Sequence, residues 1–169
     1  MRTLVLFDRD GTLVEDVPYN GDAERVVPMP TARAALDQLR AAGILVGVAT
    51  NQSGISRGLV TAAQVDAVNA RVELLLGPFD VWQVCPHAPE DGCRCRKPRP
   101  GMVLAACAAV GVAPRGCVLV GDRSTDVEAA TAAGGTGILV AGPTSGIGAA
   151  GLVCAGLSEA ADLVLGGCR

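Results

Sequence analysis

Aromatic side chains are nearly missing from this 169-residue chain, which has two Phe, one Trp and one Tyr. A core without them has to be assembled from Val, Leu, Ile and Ala, a composition that suits parallel strands buried on both faces. Hydrophobic residues still make up 50% of the sequence, enough for one domain over residues 1–169 to bury a substantial core. Runs of Lys and Arg are absent too. With a formal net charge of −3, neither nucleic acid nor an anionic membrane is an expected partner. The apolar stretch near the N-terminus is only four residues long, Leu4–Phe7, too short for a signal peptide or a membrane span. The expected location is therefore the cytoplasm. Cysteine is not scarce, at seven residues, but an odd number in a reducing compartment argues against a disulfide framework. Cys107 and Cys117 read as small core residues, and Cys154 and Cys168 are scattered further on.

Strand-like and helix-like segments alternate, which predicts an α/β fold with a Rossmann-like parallel sheet flanked by helices. Strands are expected at 3–7, 44–49, 81–84, 117–121 and 137–140, with a short one near 152–154. Helices are expected at 31–42, where Ala32, Leu36 and Leu39 share a face, and at 61–76, which opens with the capping box Thr61-x-x-Gln64 and carries Val65, Val68, Val72 and Leu75. Three more are expected at 102–110, 125–133 and 158–165. Residues 141–156 read as a Gly/Ala-rich loop with turn signals at Gly142-Pro143 and Ser145-Gly146.

Asp8-Arg9-Asp10-Gly11-Thr12 follows the first strand directly. That puts two carboxylates, on one face of the chain, at the carboxyl end of a sheet, where open α/β folds keep their ligands. Acids so close repel unless a cation or a shared proton intervenes. A hard metal with one carboxylate left for covalent or proton-transfer work suits them; a strand-end turn with helix-capping acids is the plain alternative. A second chemistry-bearing stretch, Cys85-Pro86-His87 and Cys93-Arg94-Cys95, holds the chain's only histidine in a C-x-H-x5-C-x-C pattern. Three thiolates and one imidazole match a closed tetrahedral zinc site, structural because no position is left for water. Partly buried thiols beside a surface histidine are the alternative. A nucleic-acid-binding zinc ribbon would need a basic or aromatic surface that this chain lacks.

Further along, Thr50-Asn51 ends the second strand, Arg96-Lys97-Pro98 follows the cysteines, and Gly121-Asp122-Arg123-Ser124-Thr125-Asp126 ends the fourth. Taken in order over about residues 3–140, DxDGT, T-N, K-P and GDxxxD resemble the haloacid dehalogenase (HAD) superfamily of phosphohydrolases. The resemblance implies Asp8 as a nucleophile forming an aspartyl-phosphate, and Asp10 as the acid and then the base. It implies Mg²⁺ held by Asp8, the Asp10 carbonyl and Asp122. Thr50 and the N–H groups near Asn51 would bind phosphoryl oxygens, and Lys97 would neutralise charge. Asp126 would orient Lys97 or a metal-bound water, or simply be an acid at a helix N-terminus. The gaps after the first two motifs leave no room for the cap domain many members carry.

The zinc loop, the Asp8–Thr12 form of the first motif and the missing cap narrow the resemblance. They point to the branch that acts on heptose bisphosphate and on histidinol phosphate. Residues 50–58 and 97–102 are more similar to the heptose-directed members, which implies Asn51, Gln52, Ser53, Arg57, Arg96 and Lys97 as substrate-binding residues. A guanidinium such as Arg96 would fork a second phosphate. The short gap between His87 and Cys93 is closer to the histidinol-phosphate side. A regulatory protein that keeps the fold without turnover is disfavoured because Asp8, Asp10 and Lys97 are all present, and a phosphomutase because no lid is visible. The expected partner is a small phosphorylated metabolite, and the expected state a monomer.

Overall fold

The computed structural model describes residues 2–142 and 152–167. The turn signals at Pro143 and Ser145-Gly146 and the tail Cys168 lie outside them. Six strands, β1 Leu4–Phe7, β2 Leu45–Asn51, β3 Val81–Cys85, β4 Cys117–Gly121, β5 Thr136–Val140 and β6 Leu152–Cys154, form one sheet in the order β3-β2-β1-β4-β5-β6. Every pairing is parallel. Because a parallel strand is covered on both faces, the pleat splits its residues between two cores. β1 shows this directly: Val5 and Phe7 pack with α1 Ala32–Ala41, α2 Ala62–Leu76 and α5 Leu157–Gly167, whereas Leu4 and Leu6 pack with α3 Gly101–Val110 and α4 Ser124–Ala133.

The helices begin and end where the local chemistry dictates. At the start of α2, the Thr61 N–H donates to Gln64 Oε1 at 2.8 Å and the Gln64 N–H donates to Thr61 Oγ1 at 3.2 Å, so two donors at the helix end are satisfied reciprocally. Leu36 and Leu39 of α1 are wholly buried; truncating either to Ala would cost about 2–5 kcal/mol. On α2 the innermost leucine is Leu76, while Leu75 is only partly buried, half a step from the expected stripe. Cys107 and Cys117 lie buried together in the second core, as expected for small apolar side chains.

Two features of the fold position the site. The strand order reverses direction between β1 and β4, and α/β sheets open their ligand crevice at such a switch point, beyond the carboxyl ends of the strands. Second, β2 runs two residues further than its apolar run suggests, so Thr50 and Asn51 are held in the sheet, paired with Val84 and Cys85. The connection from β1 to α1, residues 8–31, carries one short 3-10 turn and two isolated bridges, and that from β2 to α2, residues 52–61, only turns. Neither holds a cap. Among the described residues no helix is long and apolar enough to cross a membrane.

Candidate active site

Asp8 emerges from β1 with its N–H donating to the Val120 carbonyl of β4 at 2.9 Å, so the switch point itself fixes the residue. Gly11 turns the chain behind it at φ +80°, and a Cβ there would lie 2.6 Å from Asp122 Oδ2. Glycine is required both for the turn and for Asp122 to approach. Thr12 Oγ1 contacts Asp122 Oδ1 at 3.5 Å. Carboxylate oxygens of Asp8, Asp122 and Asp126 all lie within 4.8 Å of one another.

Against these acids stands one cation. Lys97 is the chain's only lysine, 4% exposed, and its Nζ donates to Asp8 Oδ1 at 2.8 Å and to the Ala49 carbonyl at 2.7 Å, with Asp126 Oδ1 at 2.6 Å. All three ammonium protons have acceptors. Burial works against the charged ammonium, but Asp8 and Asp126 outweigh it and raise the Lys97 pKa. Burial raises Asp122, and the Asp8 charge adds to the rise. Burial also raises Asp10, against the pull of Arg9. Asp8 and Asp126 share one ammonium and Asp122 stands beside them, a cluster whose negative charge favours a further cation.

A cleft of about 450 Å³ opens over this arrangement, and its walls include Asp8, Asp10, Thr50, Asn51, Gln52, Ser53, Arg57, Arg96, Lys97 and Asp126. Residues drawn from four separate motifs thus meet in one place, with Asp122 just behind Asp8. The structure refines what two of them do. The Asn51 amide is engaged by the Lys97 main chain, accepting from its N–H at 3.2 Å and donating to its carbonyl at 3.3 Å. Its side chain therefore positions the lysine segment. Gln52 Nε2 donates to Asp10 Oδ2 at 2.7 Å and to Thr50 Oγ1 at 2.9 Å. With that acceptor position filled, the Thr50 hydroxyl is left to donate elsewhere. Arg96 reaches back to the His87 carbonyl at 3.1 Å while still bordering the cleft, and Arg57 lies 3.7 Å from Glu90 at the rim.

Beside the cleft, at the end of β3, the four thiol and imidazole groups converge. Cys85 Sγ lies 3.7 Å from both His87 Nδ1 and Cys93 Sγ, and Cys95 Sγ lies 3.2–3.4 Å from the other three. A zinc tetrahedron with sulfur arms of about 2.3 Å has edges of roughly 3.8 Å, so the donors stand close to the spacing a metal needs. Burial pushes the Cys85 thiol up to about 12. For Cys93 desolvation is outweighed by the Arg96 N–H and the neighbouring thiols, which bring it down to about 7.

Sequence reasoning missed Arg9 and Asn69. Arg9 is 1% exposed and its Nη1 donates to Asn69 Oδ1, on α2, at 2.7 Å. The signal available was an arginine inside a strand-end motif, and nothing local marks its partner 60 positions away.

A family model for HAD-like hydrolases matches residues 94–160. The D-glycero-beta-D-manno-heptose-1,7-bisphosphate 7-phosphatase of Pseudomonas putida is 41% identical over 146 residues, covering 81% of each chain. The enzyme of the same name from Escherichia coli K12 is 34% identical over 148 residues, covering 80% of this chain and 78% of its own. The crystal structure of D,D-heptose 1,7-bisphosphate phosphatase from Bordetella bronchiseptica, complexed with magnesium and phosphate, superposes with a TM-score of 0.88 at 33% identity, over 98% of this chain and 99% of that one. With its switch-point acids, its buried lysine and these relatives, the chain belongs to the HAD-like hydrolases, in the family of the heptose-1,7-bisphosphate 7-phosphatases.

Proposed function

We propose that this protein is a Mg²⁺-dependent phosphatase that removes the 7-phosphate of D-glycero-D-manno-heptose 1,7-bisphosphate through an aspartyl-phosphate at Asp8. The observation that carries this reading is the Lys97 ammonium, buried between Asp8 and Asp126 on the floor of a cleft, in a chain 41% identical to an enzyme named for that reaction. The donor set suits Mg²⁺: Asp8 and Asp122 offer hard carboxylate oxygens, the Asp10 carbonyl is the third expected donor, and the acids carry surplus negative charge. When bound there, the ion would withdraw charge from the phosphoryl oxygens. Asp126, committed to Lys97 and to the Arg123 N–H at 3.1 Å, orients the lysine.

The protein's own groups divide the remaining work. Lys97 lowers the repulsion between the Asp8 carboxylate and the incoming dianion, and Thr50 donates its hydroxyl to a phosphoryl oxygen. An Asp8 oxygen bonds to phosphorus as the bond from phosphorus to the sugar oxygen breaks, and Asp10 gives that oxygen its proton. Asp10 then takes a proton from the water that attacks the aspartyl-phosphate, releasing inorganic phosphate and restoring Asp8. Burial raises Asp10 against the pull of Arg9, the direction that favours the proton the first step needs. Arg57, Arg96 and Ser53 on the cleft wall suit the distal part of a bisphosphate, with guanidinium N–H groups for the second phosphate. Histidinol phosphate has no second phosphate, and the relatives' names favour the heptose. The same reading takes the chain as a cytoplasmic monomer with a structural zinc on Cys85, His87, Cys93 and Cys95.

The test is kcat/KM with Mg²⁺ for both anomers of heptose 1,7-bisphosphate and for histidinol phosphate. The beta anomer, which the relatives' names specify, should exceed histidinol phosphate by about 100-fold or more, an arginine-phosphate contact contributing about 3 kcal/mol. The opposite order would overturn the substrate assignment.

A further inference from the structure

Arg9 has no place in the chemistry above, yet it is the bulkiest side chain in the fully buried set, at 1% exposure. Taking a guanidinium out of water costs several kcal/mol unless its N–H groups are matched. Here they are matched by a specific set. Nε donates to Asp10 Oδ1 at 3.1 Å and Nη2 to Asp10 Oδ2 at 2.9 Å, while Nη1 donates to Asn69 Oδ1 at 2.7 Å. The paired bonds to Asp10 are the planar fork on a carboxylate that Arg provides and Lys cannot. From its other side Gln52 Nε2 donates to Asp10 Oδ2 at 2.7 Å.

We infer that Arg9, anchored by Asn69, is a positioning residue that fixes the Asp10 carboxyl in the orientation from which its proton reaches the departing sugar oxygen. This rests on the proposed role of Asp10 as acid and base. Asp10 follows the end of β1 and precedes Gly11 at φ +80°, so strand pairing does not hold its side chain. A proton donor must stay within hydrogen-bond reach of its target, and an untethered rotor spends most of its time elsewhere. The clamp also distinguishes the two oxygens. Oδ2 accepts from both Arg9 and Gln52, which fills its two lone pairs, whereas Oδ1 accepts from Arg9 alone. Oδ1 is then the oxygen with room for the transferable proton. Arg9 itself borders the cleft but has almost no surface to offer a ligand, so it acts through Asp10.

The leaving group separates this role from a purely structural one. In a covalent mechanism kcat/KM reports on transfer of the phosphoryl group to Asp8. A sugar alkoxide needs a proton in that step, and p-nitrophenolate leaves without one. Arg9→Lys keeps the charge and loses the fork; Asn69→Ala keeps Arg9 and loses its anchor. With Mg²⁺ present, Arg9→Lys should lower kcat/KM on the heptose bisphosphate about 100-fold, the scale of general-acid catalysis, mainly through kcat. On p-nitrophenyl phosphate the change should stay within about threefold. Asn69→Ala should shift the same ratio by about tenfold, and it decides the matter alone if Arg9→Lys does not fold. Losses that are equal on the two esters, or no loss on either, would overturn the inference. A parent protein inactive on both esters would instead overturn the proposed function, and the inference with it.

Discussion

The carboxylate cluster beyond β1 and β4 and the thiol cluster beyond β3 lie at the same edge of one sheet, but they are held in different ways. Asp8 and Asp122 follow directly from strands paired through the core, and the Lys97 ammonium, paired with Asp8 and Asp126, has three protein acceptors. That arrangement is built by the sheet before any ligand arrives, and what it lacks is positive charge. The thiols sit on residues 85–95, whose only regular element after the strand is one short 3-10 turn. Their buried members are protonated without a metal, as the elevated Cys85 shows. Strand pairing sets one cluster; the other sits on a loop whose thiols and imidazole a metal would tie together. Lys97, two residues beyond Cys95 and tied to Asn51 of β2, is the link between them.

Breaking the carboxylate side should have the largest effect. Asp8→Asn leaves Lys97 its Asp126 partner, so the fold should survive while turnover falls by at least about 10⁴-fold, as when a nucleophile is removed. Activity within tenfold of the parent would remove Asp8 from the covalent step. Breaking the thiol side acts on stability first. The purified protein should carry about one zinc per chain, and chelation should lower Tm by more than about 10 °C, a few kcal/mol at this size. The slower rate that follows comes through the displaced Lys97 segment. Metal analysis and calorimetry check both points.

The same loop should show its titration. Cys85, up at about 12, and Cys95, also raised, hold their protons at pH 7, while Cys93 at about 7 holds about half of its own. Adding zinc to the metal-free protein at pH 7 should therefore release about two to three thiol protons, measurable from the buffer dependence of the binding heat. The sign follows. The metal-bound thiols stay ionised below their metal-free pKa values, so zinc-derived stability is present at neutral and higher pH and is lost as pH falls. Release of fewer than two protons would mean that the thiols are not the ligands.

A smaller effect separates strain from site geometry. Gly11→Ala brings a Cβ against Asp122 at 2.6 Å on a left-handed residue, and should cost about 1–3 kcal/mol and raise the Mg²⁺ needed for half-maximal activity. Gly134→Ala, at φ +86° with no atom within 4 Å of its Cβ, should cost about 1 kcal/mol and leave the Mg²⁺ requirement unchanged. Smallest of all, Arg33→Ala removes an exposed pair with Asp37 at 2.8 Å and a bond to the Leu75 carbonyl at 3.2 Å, distant in sequence from both clusters. It should leave kcat/KM at the parent value and shift Tm less than any change above.

Much of the site was legible because each part is local. An apolar run followed by acids marks Asp8, Asp10, Asp122 and Asp126, and the C-x-H and C-x-C pairs mark the thiol loop. The end of β2 was less legible: Thr50 and Asn51 look like loop residues by polarity, yet pairing with β3 keeps them in the sheet. The amides line the cleft, as substrate contacts would, but their protein partners are not legible locally. Asn51 spends its side chain on the Lys97 backbone 46 positions away, and Gln52 spends its own on Asp10 and Thr50.

By itself the sequence determined the alternation of strands and helices, the chemical type of each donor, three motifs at strand ends and the lysine motif after the cysteine loop, because hydrophobic period and turn chemistry act over a few residues. Only the tertiary structure decided which of those ends become neighbours. The β3-β2-β1-β4-β5-β6 order brings Asp8 to Asp122, Lys97 to both Asp8 and Asp126, and Arg9 to Asn69. Such pairs arise from packing two layers of helices against a sheet, and no short-range pattern encodes which strand lies beside which.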